Sequence, residues 1–352
     1  MGDNASPFAG AGDVRPGHEI DAIRLEAWLG ANVEDFAGPL SIQQFKGGQS
    51  NPTYRLETPE RTYVMRRKPP GQLLPGAHAI EREFRVISAL HAAGFPVPRA
   101  YAICADAGVA GTPFFIMDMV QGRIFWDSSL PEISTTARAA CFDAMNATIA
   151  QLHQIDLAAA GLTDYGKPGS YFQRQIGRWS KQYLEDDAAG RLPAMDELVA
   201  WLPANIPPGD ETSLVHGDFR ADNMIFHASE PRVLAVLDWE LSALGHPLAD
   251  FTYHMMMYRL PPHIIGGFNG ADLKALNIPS EADYVAAYCT RTGRAGIADM
   301  NFYLGFNMFR FAAILHGIKG RIARGTAASK HAAGMAANLP ELAALAVAQI
   351  EG

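Results

Sequence analysis

Residues 214–240, LVHGDFRADNMIFHASEPRVLAVLDWE, constrain this chain more than any other stretch. Two short apolar runs, 224–226 and 233–237, read as strands joined by a turn through residues 228–232. A turn centred between Glu230 and Pro231 sets Asn223 opposite Asp238, because both pairs of numbers sum to 461. Directly opposed strand residues lie ~4.5 to 5.5 Å apart at the backbone, so in this register an amide and a carboxylate share one ion. Hard oxygen donors of that kind suit Mg2+. Asp218 falls five residues before Asn223, on a loop rather than on the hairpin, and is expected to project toward an incoming hydroxyl. Metal ligands and a carboxylate that orients a nucleophile are what phosphoryl transfer asks of a protein. The competing reading makes Asp218 and Asn223 turn formers and Asp238 a strand end.

The rest of the chain divides around this segment. Residues 20–29 have a helical pattern, and 41–45, 53–57 and 62–67 read as strands punctuated by Gly47-Gly48 and Thr58-Pro59. After the break at 69–71, residues 78–93 place Ile80, Phe84, Ile87 and Leu90 at helical spacing, so a helix packs on a small antiparallel sheet. An apolar strand at 114–117 precedes mostly helical sequence, notably 137–153 and 172–183. The expected organisation is therefore α+β, with a flexible tail at 1–17, a sheet lobe at 18–118 and a largely helical lobe at 119–352.

Composition narrows the function classes. The 352 residues exceed the usual size of one domain, and 48% hydrophobic with 19% charged residues is a globular composition. A formal charge of −8 argues against nucleic acid as a general partner. Cys104, Cys141 and Cys289 are scattered and odd in number, which fits neither a disulfide framework nor a zinc cluster and points to a reducing, cytoplasmic setting. No basic start followed by an apolar run opens the chain, and no membrane association is expected.

HGDFRADN followed by LDWE resembles the catalytic loop and metal-binding segment of the aminoglycoside phosphotransferase-like kinases, small-molecule relatives of protein kinases. That resemblance implies a bilobal protein-kinase-like fold that uses ATP and Mg2+, with Asp218 as the catalytic residue and Asn223 and Asp238 on the metal. It also implies a nucleotide site in the first lobe. Gly47, Gly48 and Ser50 lie in the turn that would cover the triphosphate. Tyr63-Val64-Met65-Arg66 aligns with the kinase V-A-I-K strand and puts Arg66 where lysine is usual, with Lys68 as an alternative on the same face. Arginine keeps the charge and offers two donors to phosphate oxygens.

Helical geometry selects the partner of Arg66. At 100° per residue, with Phe84 at zero, Glu83 falls inside the apolar arc and Glu81 beyond its edge. A carboxylate drawn to an interior face needs a cation, and Arg66 is the expected supplier. Asp118 and Val120 stand where the hinge that grips adenine through backbone groups would lie. His216 is expected to be a packed loop histidine, and Asp250, in GHPLADF, resembles an anchor of the catalytic loop.

GGQSNPTY, VMRRKPPGQLLPGAHAIEREFRV and DYGKPGSYFQRQIGRWSKQY are similar to the kinase domain of acyl-CoA dehydrogenase family members ten and eleven. This implies a small-molecule hydroxyl acceptor such as a hydroxyacyl-CoA or hydroxy acid. Arg310, Lys319, Arg321, Arg324 and Lys330, with no acidic residue between 300 and 340, form a basic region that favours an anionic acceptor. Trp126, Tyr165, Tyr171 and Trp179 are candidate pocket walls, with core packing as the alternative for each. An aminoglycoside or choline-like alcohol kinase, a nucleotide-binding pseudokinase and a metal-dependent hydrolase using His216 are the other readings. The acceptor and the oligomeric state stay open.

Overall fold

The computed structural model describes residues 10–46, 51–71, 79–326 and 332–352. Its strands are β1 Ala11–Gly12, β2 Ser41–Phe45, β3 Thr53–Glu57, β4 Thr62–Arg67, β5 Ala100–Cys104, β6 Phe114–Asp118, β7 Ser213–Val215, β8 Met224–Phe226, β9 Val233–Val236 and β10 Ala243–Gly245. The architecture is α+β, divided into two units. The first takes in residues 1–126, 158–163 and 223–242, and the second 127–157, 164–222 and 243–352.

In the first unit β1 to β6 form one antiparallel sheet in the order β1-β2-β3-β4-β6-β5. In β3 only Tyr54 and Leu56 are buried, whereas β4 is buried along nearly its whole length. The difference follows from what covers each face. Tyr54, Leu56, Tyr63, Met65, Phe114 and Ile116 meet Leu25 and Leu29 of the helix Ala22–Asn32. On the opposite face Phe115 packs edge-on against Phe84 of the helix Ile80–Ala92, with ring centroids 6.0 Å apart. Alternation along β4 therefore sends Arg66 to one face and Arg67 to the other. Arg67 is structural: it donates to the Ala110 carbonyl at 2.6 Å and covers the Tyr54 ring.

Two expectations differ here. The tail at 1–17 carries β1, where Ala11 pairs with Phe45, and Arg15 donates to the Phe45 and Lys46 carbonyls at 2.9 Å. Its backbone groups find partners on a sheet edge. The division also falls past Asp118, at Trp126, and returns residues 223–242 to the first unit, because β8 and β9 continue its packing: Val236 donates to the Pro96 carbonyl at 2.8 Å and Phe226 pairs with Arg123. β5 escaped sequence reading because Ala100 to Ala102 are small or half-buried and give no alternating pattern.

The second unit is helical apart from β7 and β10, which pair antiparallel. Its long helix Met300–Ala323 is buried on nearly all sides from Phe302 to Leu315. The stretch Ala332–Glu351 is apolar enough by length and composition to cross a membrane, with mean hydropathy 1.2, yet Leu339, Leu342, Ala343 and Ala346 are buried. Tyr171 is buried against Phe172 and Phe306, and Tyr165 is only 1% exposed, so both pack in the core.

Gly122 fits only because it lacks a side chain: an added Cβ would lie 2.2 Å from the Phe226 carbonyl oxygen and 2.5 Å from Ile225. Gly122→Ala should destabilise the protein by about 1 to 3 kcal/mol through overpacking against β8. A lower thermal midpoint is the expected result, and an unchanged one would show that β8 yields.

Candidate active site

Arg66, on β4, is 8% exposed and gathers three carboxylates from its own unit. Its Nε lies 3.0 Å from Glu83, and one terminal nitrogen lies 2.5 Å from Asp238 and 3.5 Å from Glu240. Glu83 reaches it from the helix Ile80–Ala92, one apolar-face position among Ile80, Val86, Ile87 and Leu90. Glu81, by contrast, stays at the surface and pairs with Lys68 at 2.6 Å. Burial pushes the Glu83 carboxyl up to about 7, against the pull of Arg66 and a hydrogen bond from the Trp239 N–H. Arg66 itself is held above its ordinary range: burial opposes its charge, but Glu83, Asp238 and Glu240 outweigh that cost. Such a cluster is stable only while charge and geometry stay matched.

Asp238 follows β9 with φ 65° and ψ 62°, a left-handed conformation costly for a residue with a side chain. Trp239 anchors this bend, with its indole donating to the Val236 carbonyl at 2.9 Å and its ring edge-on to Phe95. The register differs by one from the expected pairing. Met224 opposes Val236 and Ile225 opposes Ala235, so the sum is 460, and a bulge at Phe226 absorbs the turn. The Leu237 N–H accordingly donates to the Asn223 carbonyl at 2.8 Å. Asn223 therefore stands opposite Leu237, and Asp238 lies one residue beyond, where the chain leaves the strand.

Asp118 ends β6. Its N–H is used by the Arg99 carbonyl at 2.9 Å, and its carboxylate accepts from Tyr101 at 2.5 Å. Burial and that carboxylate push Tyr101 up to about 12. No described group accepts from the Val120 N–H. Gly47, Gly48 and Ser50 lie outside the described residues. Just after them, Asn51 is 1% exposed and donates to Glu240 at 3.1 Å.

In the second unit Asp218 sits on the loop after β7. Asp250, on the helix Pro247–Met255, builds that loop by accepting from the His216 and Gly217 N–H groups at 2.7 Å each. His153 supports Asp250 from behind at 3.3 Å. Gly217 adopts φ 85°, which turns the chain so that both donors meet one carboxylate. His216 is fully buried, and its Nδ1 accepts from the Asp218 N–H at 3.2 Å, a packed role. The Asp218 carboxylate accepts from the Tyr253 hydroxyl at 2.6 Å and lies 3.3 Å from Arg220. Burial alone would raise its pKa, but Arg220, Tyr253, His216 and Arg310 together hold it below the ordinary carboxylate value.

The basic C-terminal region separates into different roles. Arg310 is buried and donates to the Gly217 carbonyl at 2.8 Å, and Arg324 is tied to Asp186. Lys319 and Arg321 are exposed, while Lys330 lies outside the described residues. Sequence reading missed Glu240, Asn51 and Tyr253, and it placed Arg310 in a basic region without its contact to Gly217. Only Tyr253 carried a usable signal, since it stands three residues after Asp250 and so shares its helix face.

A buried arginine with three carboxylates beside it, and an aspartate displayed on a loop whose backbone Asp250 braces, are groups of the kind that phosphoryl transfer uses. The family description "Phosphotransferase enzyme family" matches residues 41–294, and the chain belongs to that family. It is 44% identical over 326 residues to acyl-CoA dehydrogenase family member 10 of Mus musculus, covering 91% of this chain and 30% of that protein. It is also 44% identical over 332 residues to family member 11 of Gallus gallus, covering 91% of this chain and 42% of that protein. The chain thus spans less than half the length of these curated relatives. A solved Ralstonia eutropha structure, assigned to the aminoglycoside phosphotransferases, superposes with TM-score 0.88 at 51% identity over 95% of this chain and 99% of the other. The chain has the kinase-like fold of that family.

Glu83→Gln should cost roughly 3 kcal/mol, the low end for breaking a buried pair, because Asp238 and Glu240 remain beside Arg66. A urea midpoint equal to wild type would show that Glu83 contributes no charge there.

Buried His254 gives a second expectation. Its Nδ1–H donates to the Phe219 carbonyl at 3.2 Å, and in the neutral ring that burial favours Nε2 accepts from the Tyr284 hydroxyl at 2.7 Å. Burial lowers its pKa to about 4, and burial likewise lowers His246 to about 4. Unfolded histidine takes up its proton near 6.5, so between about 6.5 and 4 the unfolded chain binds more protons and stability falls as pH falls. Thermal midpoints should drop across that window, less steeply in His254→Gln. Identical slopes for both proteins would remove His254 from the account.

Proposed function

We propose that the protein is an ATP- and Mg2+-dependent kinase that transfers the γ-phosphoryl group to a hydroxyl of a hydroxyacyl-CoA or hydroxy acid. The observation that carries this reading is Arg66, a buried guanidinium shared by Glu83 and by Asp238 at the end of β9. In this reading Arg66 holds phosphate oxygens and Glu83 holds Arg66. Gly47, Gly48 and Ser50 cover the triphosphate, while the Asp118 carbonyl and the Val120 N–H meet adenine. Asp218 orients the acceptor hydroxyl. The acceptor O–P bond forms as the bond from γ-phosphorus to its bridging oxygen breaks, ADP leaves with that electron pair, and the hydroxyl proton passes to Asp218.

Asn223 and Asp238 would hold Mg2+, and their hard oxygen donors fit it. Among the described residues no three His, Cys, Asp or Glu side chains gather to hold a metal. That suits an ion that takes its remaining ligands from phosphate and water. When bound, the ion supplies neutralisation of phosphate charge.

The acceptor class rests on the similarity to proteins named acyl-CoA dehydrogenase family members 10 and 11, and on exposed Lys319 and Arg321. An anionic thioester is better matched by such charges than a polycationic aminoglycoside. The proposed setting is cytoplasmic, with a small-molecule partner rather than nucleic acid or membrane.

ATP with Mg2+ should raise the thermal midpoint, since a ligand of the folded state stabilises it. Turnover with 3-hydroxybutyryl-CoA, free hydroxy acids, choline and aminoglycosides then names the acceptor class. Transfer to an aminoglycoside or choline alone would overturn the acyl assignment, and nucleotide binding without any transfer would make the protein a pseudokinase. Asp218→Ala should lower turnover by roughly 10² to 10⁴ with nucleotide binding intact.

A further inference from the structure

The Asp218 carboxylate is held both by its own loop, where the Arg220 Nε lies 3.3 Å from Oδ1, and from outside it. Tyr253, on the helix Pro247–Met255, donates its hydroxyl to Oδ1 of Asp218 at 2.6 Å. The Tyr253 ring is 9% exposed, and the Arg310 guanidinium covers it with its carbon 5.2 Å from the centroid. Arg310 belongs to the helix Met300–Ala323, is itself 8% exposed, and donates to the Gly217 carbonyl at 2.8 Å. Two helices and the loop before Asp218 thus meet at one phenol.

Each contact has a distinct consequence. A hydroxyl donor to a carboxylate is short and charge-assisted, and with Arg220 on the same oxygen it ties Oδ1 and so restricts the directions in which Oδ2 points. Arg310 over the ring holds the phenol by a cation–π contact and ties the same group to the loop backbone through Gly217. Asp250 fixes the main chain of this loop; nothing in that anchor fixes the side chain of Asp218.

We propose that Tyr253, held in place by Arg310, is a positioning residue that selects the carboxylate oxygen Asp218 offers to the acceptor hydroxyl. This rests on Asp218 acting in the transfer as described above. It assigns Tyr253 to the chemical step rather than to binding, since neither Tyr253 nor Arg310 belongs to the residues given to the nucleotide.

The test compares wild type, Asp218→Ala, Tyr253→Phe and Arg310→Lys, each first shown to bind Mg-ADP and to melt cooperatively. Basal Mg-ATP hydrolysis, with water as acceptor, and transfer to 3-hydroxybutyryl-CoA are both measured. Tyr253→Phe keeps the ring under Arg310 and removes only the hydroxyl. The expected result is a fall in kcat of about tenfold, the scale of a lost hydrogen bond to a charged group, with KM for ATP unchanged within twofold. Arg310→Lys should reproduce part of that fall, because a point charge cannot both stack on the ring and keep its bond to Gly217. Wild-type kcat in Tyr253→Phe, while Asp218→Ala is inactive, would overturn the proposal and leave the kinase reading standing. A rise in KM for ATP with kcat unchanged would also overturn it. Full activity in Asp218→Ala would instead remove the reading on which it rests.

Discussion

One buried positive charge organises the first unit. Arg66 sits on a strand covered on both faces, where an isolated guanidinium would be prohibitively costly, and three carboxylates from two other segments converge on it. The helix Ile80–Ala92 must present Glu83 inward, β9 must end where Asp238 can reach, and the following turn must bring Glu240 within range. Asn51, two residues before β3, then donates to Glu240. A lysine could satisfy one or two of these acids as a point charge. The larger fork of arginine lets one guanidinium pair in charge with Glu83 beside Nε while a terminal nitrogen donates to Asp238 and lies near Glu240.

The second unit solves a different problem, that of holding a short loop in one conformation without secondary structure. Asp250 does so by accepting two consecutive backbone N–H groups, and His153 stands behind it in the interior. Gly217 supplies the backbone angle that makes the double contact possible. Tyr253 and Arg310 then act on the side chain that the loop displays. Backbone and side chain are thus fixed by different residues of one helix, Asp250 and Tyr253, with Arg310 of a second helix touching both the phenol and the loop backbone.

Much of this was legible in the sequence, for identifiable reasons. Turn residues at Gly47-Gly48 and Thr58-Pro59 marked off the strands 53–57 and 62–67, and helical spacing put Glu83 rather than Glu81 toward the interior, where the structure has it. The Asn223–Asp238 pairing was not legible to the residue. A three-residue strand with a bulge at Phe226 has too few side chains to fix its register, and the positive φ at Asp238 moves that residue off the ladder. In the basic C-terminal stretch charge was legible and burial was not: Arg310 is buried in the helix Met300–Ala323 and serves the loop at Gly217, while Lys319 and Arg321 are exposed. Glu240 and Asn51 were invisible because their contacts are 189 residues apart in sequence and follow no periodicity.

In the proposed function Arg66 is the group that engages nucleotide phosphate. Calorimetric titration of Mg-ATP into wild type and Arg66→Ala tests this most directly, with circular dichroism to show that both are folded. The account predicts saturable binding to wild type and at least a tenfold weaker association with the variant, the scale of about 1.4 kcal/mol or more. Equal affinities in two folded proteins would contradict it.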